Sequence, residues 1–358
     1  MRNYYPGITV YKLAGAVIVL LAHAMLLKYF ARVPNQQLQF VLLQLRVVVP
    51  CFYVIAGFLA YKGWTRAADS RAYVRKYAAR IGLLYGAFCL LFLAEFVVPA
   101  LISGGISPVN LLLQCKIIAV MLVINGPSVQ LWFIPPLLFG VIVSYWCYER
   151  NALRPALAAA LAGFAAVQAV SGSLRTIWAG TGEPFSWLSP AYGELLSQLA
   201  TRYIGFGLPF VLLGVLIAKH EEAWTRRSLR PLWVAALLAT ALETVWLLLF
   251  AGWSDEYKLS FSLLPNTLLL FCGVLRMKGE AVRIYHRPMN LFSLVVFFGH
   301  ILLMRINGLL LHWEPGGMDV FEDFSMMMLT LVECAAITSL LLLYEKKPAS
   351  GMRKDAVS

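Results

Sequence analysis

Along this chain the apolar residues come in runs of about 18 to 23, separated by short polar stretches. A run of that length crosses the ~30 Å hydrocarbon core of a bilayer as a helix. Ten spans are predicted, at roughly 10–30, 40–61, 81–101, 131–149, 153–172, 203–219, 231–251, 260–277, 290–311 and 324–344. Strand-like alternation over ten-residue segments is absent, which argues against an outer-membrane barrel. The predicted fold is therefore all-α, a polytopic integral membrane protein of about ten transmembrane helices. It forms one transmembrane domain over 1–345 with a short basic tail, 346–358. Two intervening stretches differ from the rest. Residues 102–130 hold an apolar piece too interrupted for a span, read as re-entrant or interfacial, and residues 173–202 are rich in Gly, Pro, Ser and aromatics. Both are expected as outer loops that contact substrate.

Composition agrees with this pattern. Of 358 residues, 60% are hydrophobic and only 13% charged, too few polar groups to cover a soluble globule. A net charge of +12 would suggest nucleic acid in a soluble protein, but here its placement reads first as topology. With both termini in the cytoplasm, 22 of the 30 Lys and Arg residues fall on the inner side, as the positive-inside rule requires. The expected surroundings are thus a lipid bilayer, with no nucleic acid. The six cysteines are scattered without CxxC or Cys/His spacing, so neither a metal site nor a disulfide framework is indicated. Ala22-His23-Ala24 mimics a signal-peptidase site, yet the leading region carries only Arg2 and Lys12 and many spans follow, so an uncleaved first helix is expected.

Charges inside apolar runs are the candidate chemistry, because an ionisable group in hydrocarbon is costly and usually marks a working site. The first run, VYKLAGAVIVLLAHAMLLKYF, carries Lys12 and His23. Eleven residues apart, they share one helix face about 16 Å apart along the axis. The second, QLRVVVPCFYVIAGFLAYKG, holds Arg46 about a third of the way in, then Pro50 and Gly57, which suit a kink and close helix packing. RAYVRKYAARIGLLYG places Arg71, Arg75, Lys76 and Arg80 at the start of the third span. Such a cluster serves as a positive-inside signal, and it is also what a multiply phosphorylated ligand needs. LWFIPPLL puts Trp132 at an interface, where tryptophan ordinarily anchors a helix.

Together these segments resemble the bacterial acyltransferase family 3 of membrane proteins. VYKLAGAVIVLLAH is similar to the family's first-helix motif, in which an arginine precedes a histidine by eleven residues; VPCFYVIAGFL resembles its second-helix motif. RKYAARI is similar to its Arg-rich third-helix start, LWFIPPLL to its Leu-Trp-Phe/Tyr-Leu motif, and FFGHILL around His300 to its late Tyr-Leu-x-His segment. The resemblance implies about ten helices and transfer of an acyl group, commonly acetyl or succinyl, from acyl-CoA to a hydroxyl of a cell-surface or exported glycan or glycolipid. The implied location is the bacterial cytoplasmic membrane. His23 matches the family histidine, Lys12 the arginine and Arg80 the last arginine of the third-helix motif. The sequence departs at three places: Lys12 replaces Arg and loses its bidentate geometry, Ala56 stands for the usual Ser, and Tyr77 for a further Arg.

Acyl transfer to a hydroxyl needs a base for its proton and donors for the developing oxyanion. His23, Arg46 and His300 are the candidate catalytic residues, with His23 as base. Lys12, Arg75, Lys76 and Arg80 are the candidate residues for the acyl-CoA phosphates. No permanently bound cofactor is expected. Glu243 and Glu333, near mid-span, are expected to form structural ion pairs with Arg46 or Arg305. Soluble acyltransferase signatures, HxxxxD and GxSxG, are missing. Mid-membrane charges also mark transport pathways, so a transporter or glycan exporter without acyl-transfer chemistry is the alternative function.

Overall fold

Backbone amides inside hydrocarbon must be bonded within their own segment, and the apolar runs meet this demand as helices. The computed structural model describes residues 4–26, 29, 45–178, 185, 187–251, 259–313 and 319–346. Among them no strand forms beyond an isolated parallel bridge between Gly172 and Leu259. Helix α1 (Pro6–Leu21) continues into a wide π-turn (Ala22–Leu26), and a short 3-10 turn (Leu45–Val47) leads into α2 (Val48–Trp64). There follow α3 (Ser70–Gly104), α4 (Pro108–Val120) with a second wide turn (Met121–Asn125), α5 (Ile134–Glu149) and α6 (Leu153–Ser171). Helix α7 (Pro190–Leu199) passes through a wide segment (Ala200–Gly207) into α8 (Leu208–Lys219), then α9 (Glu221–Arg226), α10 (Arg230–Phe250) and α11 (Leu263–Arg276). The short α12 (Glu280–Ile284), α13 (His286–Leu311) and α14 (Val320–Lys346) end the series.

Nine of the described helices are long and apolar enough to cross a membrane, and α2 and α11 are shorter apolar helices. Three boundaries differ from expectation. The stretch 102–130 is not a loop, because Pro108–Asn125 is itself a span-length helix. Ser107 caps it by accepting from the Asn110 amide at 3.2 Å. Asn110 and Gln114, which interrupt its apolar pattern, answer one another at 3.2 Å. Its last carbonyls are received by Tyr85 (Leu122 O, 2.7 Å), Tyr203 (Val123 O, 2.6 Å) and Arg202 (Ile124 O). The stretch 173–202 is likewise helical from Pro190, a proline set at the first turn where its missing N–H costs nothing. The span expected at 260–277 begins only at Leu263. Ahead of it Glu243, buried on α10, accepts with its carboxylate from Phe261 N (2.6 Å), Ser262 N (2.9 Å) and Ser173 Oγ and so holds the turn at 261–262 that precedes α11. Three neutral donors answer Glu243 where an arginine was expected.

The chain divides into two compact units, Val33–Arg276 and Met1–Arg32 with Met277–Ser358. In the first, α8 is buried almost throughout, against α2 and α5. A Cβ on Gly57 would overlap the Val211 carbonyl, and one on Gly214 the Val54 carbonyl. Small residues bring these backbones together, the usual device where no hydrophobic force drives helix association in lipid.

Candidate active site

In the unit formed by the two chain ends, α1 lies beside α13. Thr9 Oγ1 is 2.9 Å from His286 Nδ1, 277 positions away. The rings of His23 and His300, at the same offset, stack with centroids 5.5 Å apart and 26° between their planes. Two helices that keep one offset over fourteen residues run parallel. Buried Ala16 and Ser293 fall on the same offset midway. The seven-residue spacing of Thr9, Ala16 and His23 against His286, Ser293 and His300 stays in contact only if the helices cross with a left-handed coil.

Helix α14 returns antiparallel. Arg287 pairs with Glu345 near one end, Asn307 donates to Glu333 at 2.8 Å, and the Tyr29 hydroxyl donates to Asp323 at 2.7 Å at the other. The starts of α1 and α13 and the end of α14 therefore share one side of the bilayer. The chain between α1 and α13 then makes an odd number of crossings, so the eight described apolar helices there cannot by themselves be eight complete crossings. Glu333 was expected to pair with an arginine; the neutral amide of Asn307 holds it instead.

His23 sits in the wide turn Ala22–Leu26, half-buried. A wide turn inserts an extra residue into the helix and often marks a working position. His300 is 0% exposed, and its Nδ1 lies 2.7 Å from the Val296 carbonyl. A carbonyl only accepts, so Nδ1 carries the proton and Nε2 keeps its lone pair. That Nε2 has no hydrogen-bond partner among the described residues, and neither has the buried Thr330 Oγ1. The neighbouring packing is apolar: Ala16, Leu20, Ala24, Val296, Met327 and Cys334 form one cluster. Buried polar atoms are rarely left unanswered, so the Nε2 lone pair of His300 marks a place for a hydrogen-bond donor beside the half-buried imidazole of His23.

Of the predicted site residues, the fold thus brings His23 and His300 together. Lys12, half-buried one turn beyond Thr9, faces the other end of the same helix pair, within electrostatic reach of His286. The remaining four belong to the other unit, Val33–Arg276. Arg46 occupies the 3-10 turn ahead of α2, half-buried. Arg75, Lys76 and Arg80 are exposed on the first turns of α3, whose start Asp69 caps by accepting from Ala72 N at 2.9 Å. At 35 residues α3 is about 52 Å long, well beyond the ~30 Å core, so its basic end can stand outside the hydrocarbon. His286 went unpredicted because α13 starts four residues before the expected span. Its signal was the spacing of His286, Ser293, His300 and Asn307, polar groups every seven residues along an apolar helix. Among the described residues no cluster of His, Cys, Asp or Glu could hold a metal ion.

A family model described as an acyltransferase domain, the family 3 type, matches residues 5–304. The match takes in every predicted site residue and stops within α13, before Asn307 and α14. No curated protein matches the chain, and no solved structure does. With the match spanning most of the chain, and nine described helices of membrane-crossing length, this protein belongs to acyltransferase family 3 and is a multi-pass membrane acyltransferase.

Proposed function

We propose that this chain transfers an acyl group, acetyl or succinyl, from acyl-CoA on the cytoplasmic side to a hydroxyl of a cell-surface or exported glycan, in the bacterial cytoplasmic membrane. The observation that carries this reading is the His23–His300 stack, with the His300 tautomer fixed by Val296. His23, the more accessible ring, takes the proton of the acceptor hydroxyl as its oxygen attacks the thioester carbonyl. The C–O bond forms, the tetrahedral intermediate collapses, and the C–S bond breaks to release the CoA thiolate, which recovers a proton. His300 orients His23 from the sealed side. Arg46 is proposed to stabilise negative charge that develops on the acyl oxygen. Lys12, Arg75, Lys76 and Arg80 are proposed to hold the donor's phosphates; for the last three the role fits exposed cations near a helix start.

The test is acyl-CoA-dependent modification of glycan by the purified protein, followed by thiol release and by mass spectrometry of the product. Wild type should release one thiol per acyl group transferred. Replacing Arg75, Lys76 and Arg80 by Gln should weaken donor binding and flatten its salt dependence. Glycan flux across reconstituted vesicles with no thiol release and no acyl product would establish an exporter instead.

A further inference from the structure

The α1/α13 pair carries a second polar cluster, at the end opposite the stacked histidines. His286 Nδ1 lies 2.9 Å from Thr9 Oγ1 and 3.0 Å from Asn290 Nδ2. Asn290 Nδ2 also donates to the His286 carbonyl at 2.8 Å. An amide nitrogen only donates, so Nδ1 is the accepting nitrogen and the imidazole proton sits on Nε2. Tyr4 meets the ring edge-on at 4.9 Å, and its hydroxyl is buried without a hydrogen-bond partner among the described residues. Lys12 stands within electrostatic reach of His286, and no carboxylate of a described residue pairs with it. His286 itself is exposed, so the cluster is open to a ligand.

One cation and two O–H or N–H donors, with no acid among the described residues to answer them, call for an anion. A half-buried ammonium in a membrane helix is costly until something negative meets it. We propose that Tyr4, Lys12 and His286 form a binding site for a diphosphate, that of the acyl donor. This rests on the reading that the donor is a CoA thioester. The spacing supports it. From Lys12 to His23 is eleven residues, about 16 Å along α1. The arm of CoA between diphosphate and sulfur is thirteen bonds, and an extended chain advances roughly 1.2 Å per bond, or about 16 Å. A diphosphate at Lys12 therefore delivers the thioester to the level of His23. Ser293, midway, donates to Met289 O at 2.6 Å and keeps lone pairs for an amide of the arm.

The experiment measures binding of inorganic pyrophosphate, CoA and pantetheine to the full-length protein in nanodiscs of neutral lipid. Wild type is compared with Tyr4→Phe, His286→Gln and Lys12→Gln, each first shown to melt normally. Pyrophosphate and CoA affinities should fall together, roughly tenfold per variant, as expected for a lost hydrogen bond to a charged group. Pantetheine, which has no phosphate, should bind all four forms alike. Unchanged pyrophosphate affinity in Tyr4→Phe and His286→Gln overturns the site. Pyrophosphate binding that depends on these residues, with no CoA binding by any form, keeps the anion site and overturns the donor reading. Loss of pyrophosphate binding in phosphatidylglycerol nanodiscs assigns the site to lipid phosphate and overturns its link to the donor.

Discussion

His23 and His300 stack ring on ring, the first half-buried in a wide turn and the second sealed, with its tautomer set by the Val296 carbonyl. Residues so coupled act as a unit, and their substitutions should not add. His23→Gln keeps hydrogen bonding but cannot act as a base, so turnover should fall roughly 100-fold with donor binding intact. His300→Gln should lower kcat roughly tenfold, because it misplaces His23 without removing it. The double variant should be no worse than His23→Gln. Losses that multiply would give the two rings independent roles, and full activity in His23→Gln would leave His300 as the base.

The buried Glu243 carboxylate receives Ser173 Oγ and the amides of Phe261 and Ser262. Glu243→Ala leaves three donors unanswered, at about 1–3 kcal/mol each, and should lower the melting temperature sharply. Glu243→Gln retains one accepting oxygen and should lie between the two. Equal melting of all three forms would show that the 259–262 segment is held by other contacts.

At Gly57 and Gly214 a methyl group would run into backbone carbonyls of α8 and α2, respectively. Either Gly→Ala change should cost about 1–3 kcal/mol or more, since backbone cannot step aside as a side chain can. Gly82→Ala, where nothing lies within 4 Å, should be neutral or stabilising by up to ~1 kcal/mol through helix propensity. Thermal melts of the three variants decide the matter; a Gly57→Ala protein as stable as wild type would mean that the interface can separate.

Sidedness follows from the basic residues and is tested by labelling single cysteines on a cysteine-free background with an impermeant reagent. Cysteines at exposed Ala68 and Glu345 should react only after permeabilisation, and one at exposed Ile106 should react from outside. Reaction of position 68 with intact cells reverses the orientation, and opposite behaviour of 68 and 345 places the connection between α2 and α3 and the end of α14 on different faces.

The all-helical membrane fold was legible in the sequence because hydrocarbon imposes a length and a polarity on each span that no tertiary contact can waive. His23, Lys12 and His300 stand out in the sequence for the same reason, as polar groups set in apolar runs. What the sequence could not settle was which polar group answers which. Glu243 was expected to meet an arginine, but a carboxylate is equally satisfied by two amides and a hydroxyl, and only the approach of 259–262 to α10 decides between them. The helix Pro108–Asn125 was hidden because Asn110 and Gln114 break its hydropathy, while in the fold they bond to each other and Arg202 and two tyrosines take up its terminal carbonyls. The juxtaposition of Thr9 with His286 and of His23 with His300 lies furthest from the sequence. A shared seven-residue spacing can be seen along the chain, but the offset that brings the two series into register is a property of the packed helices alone.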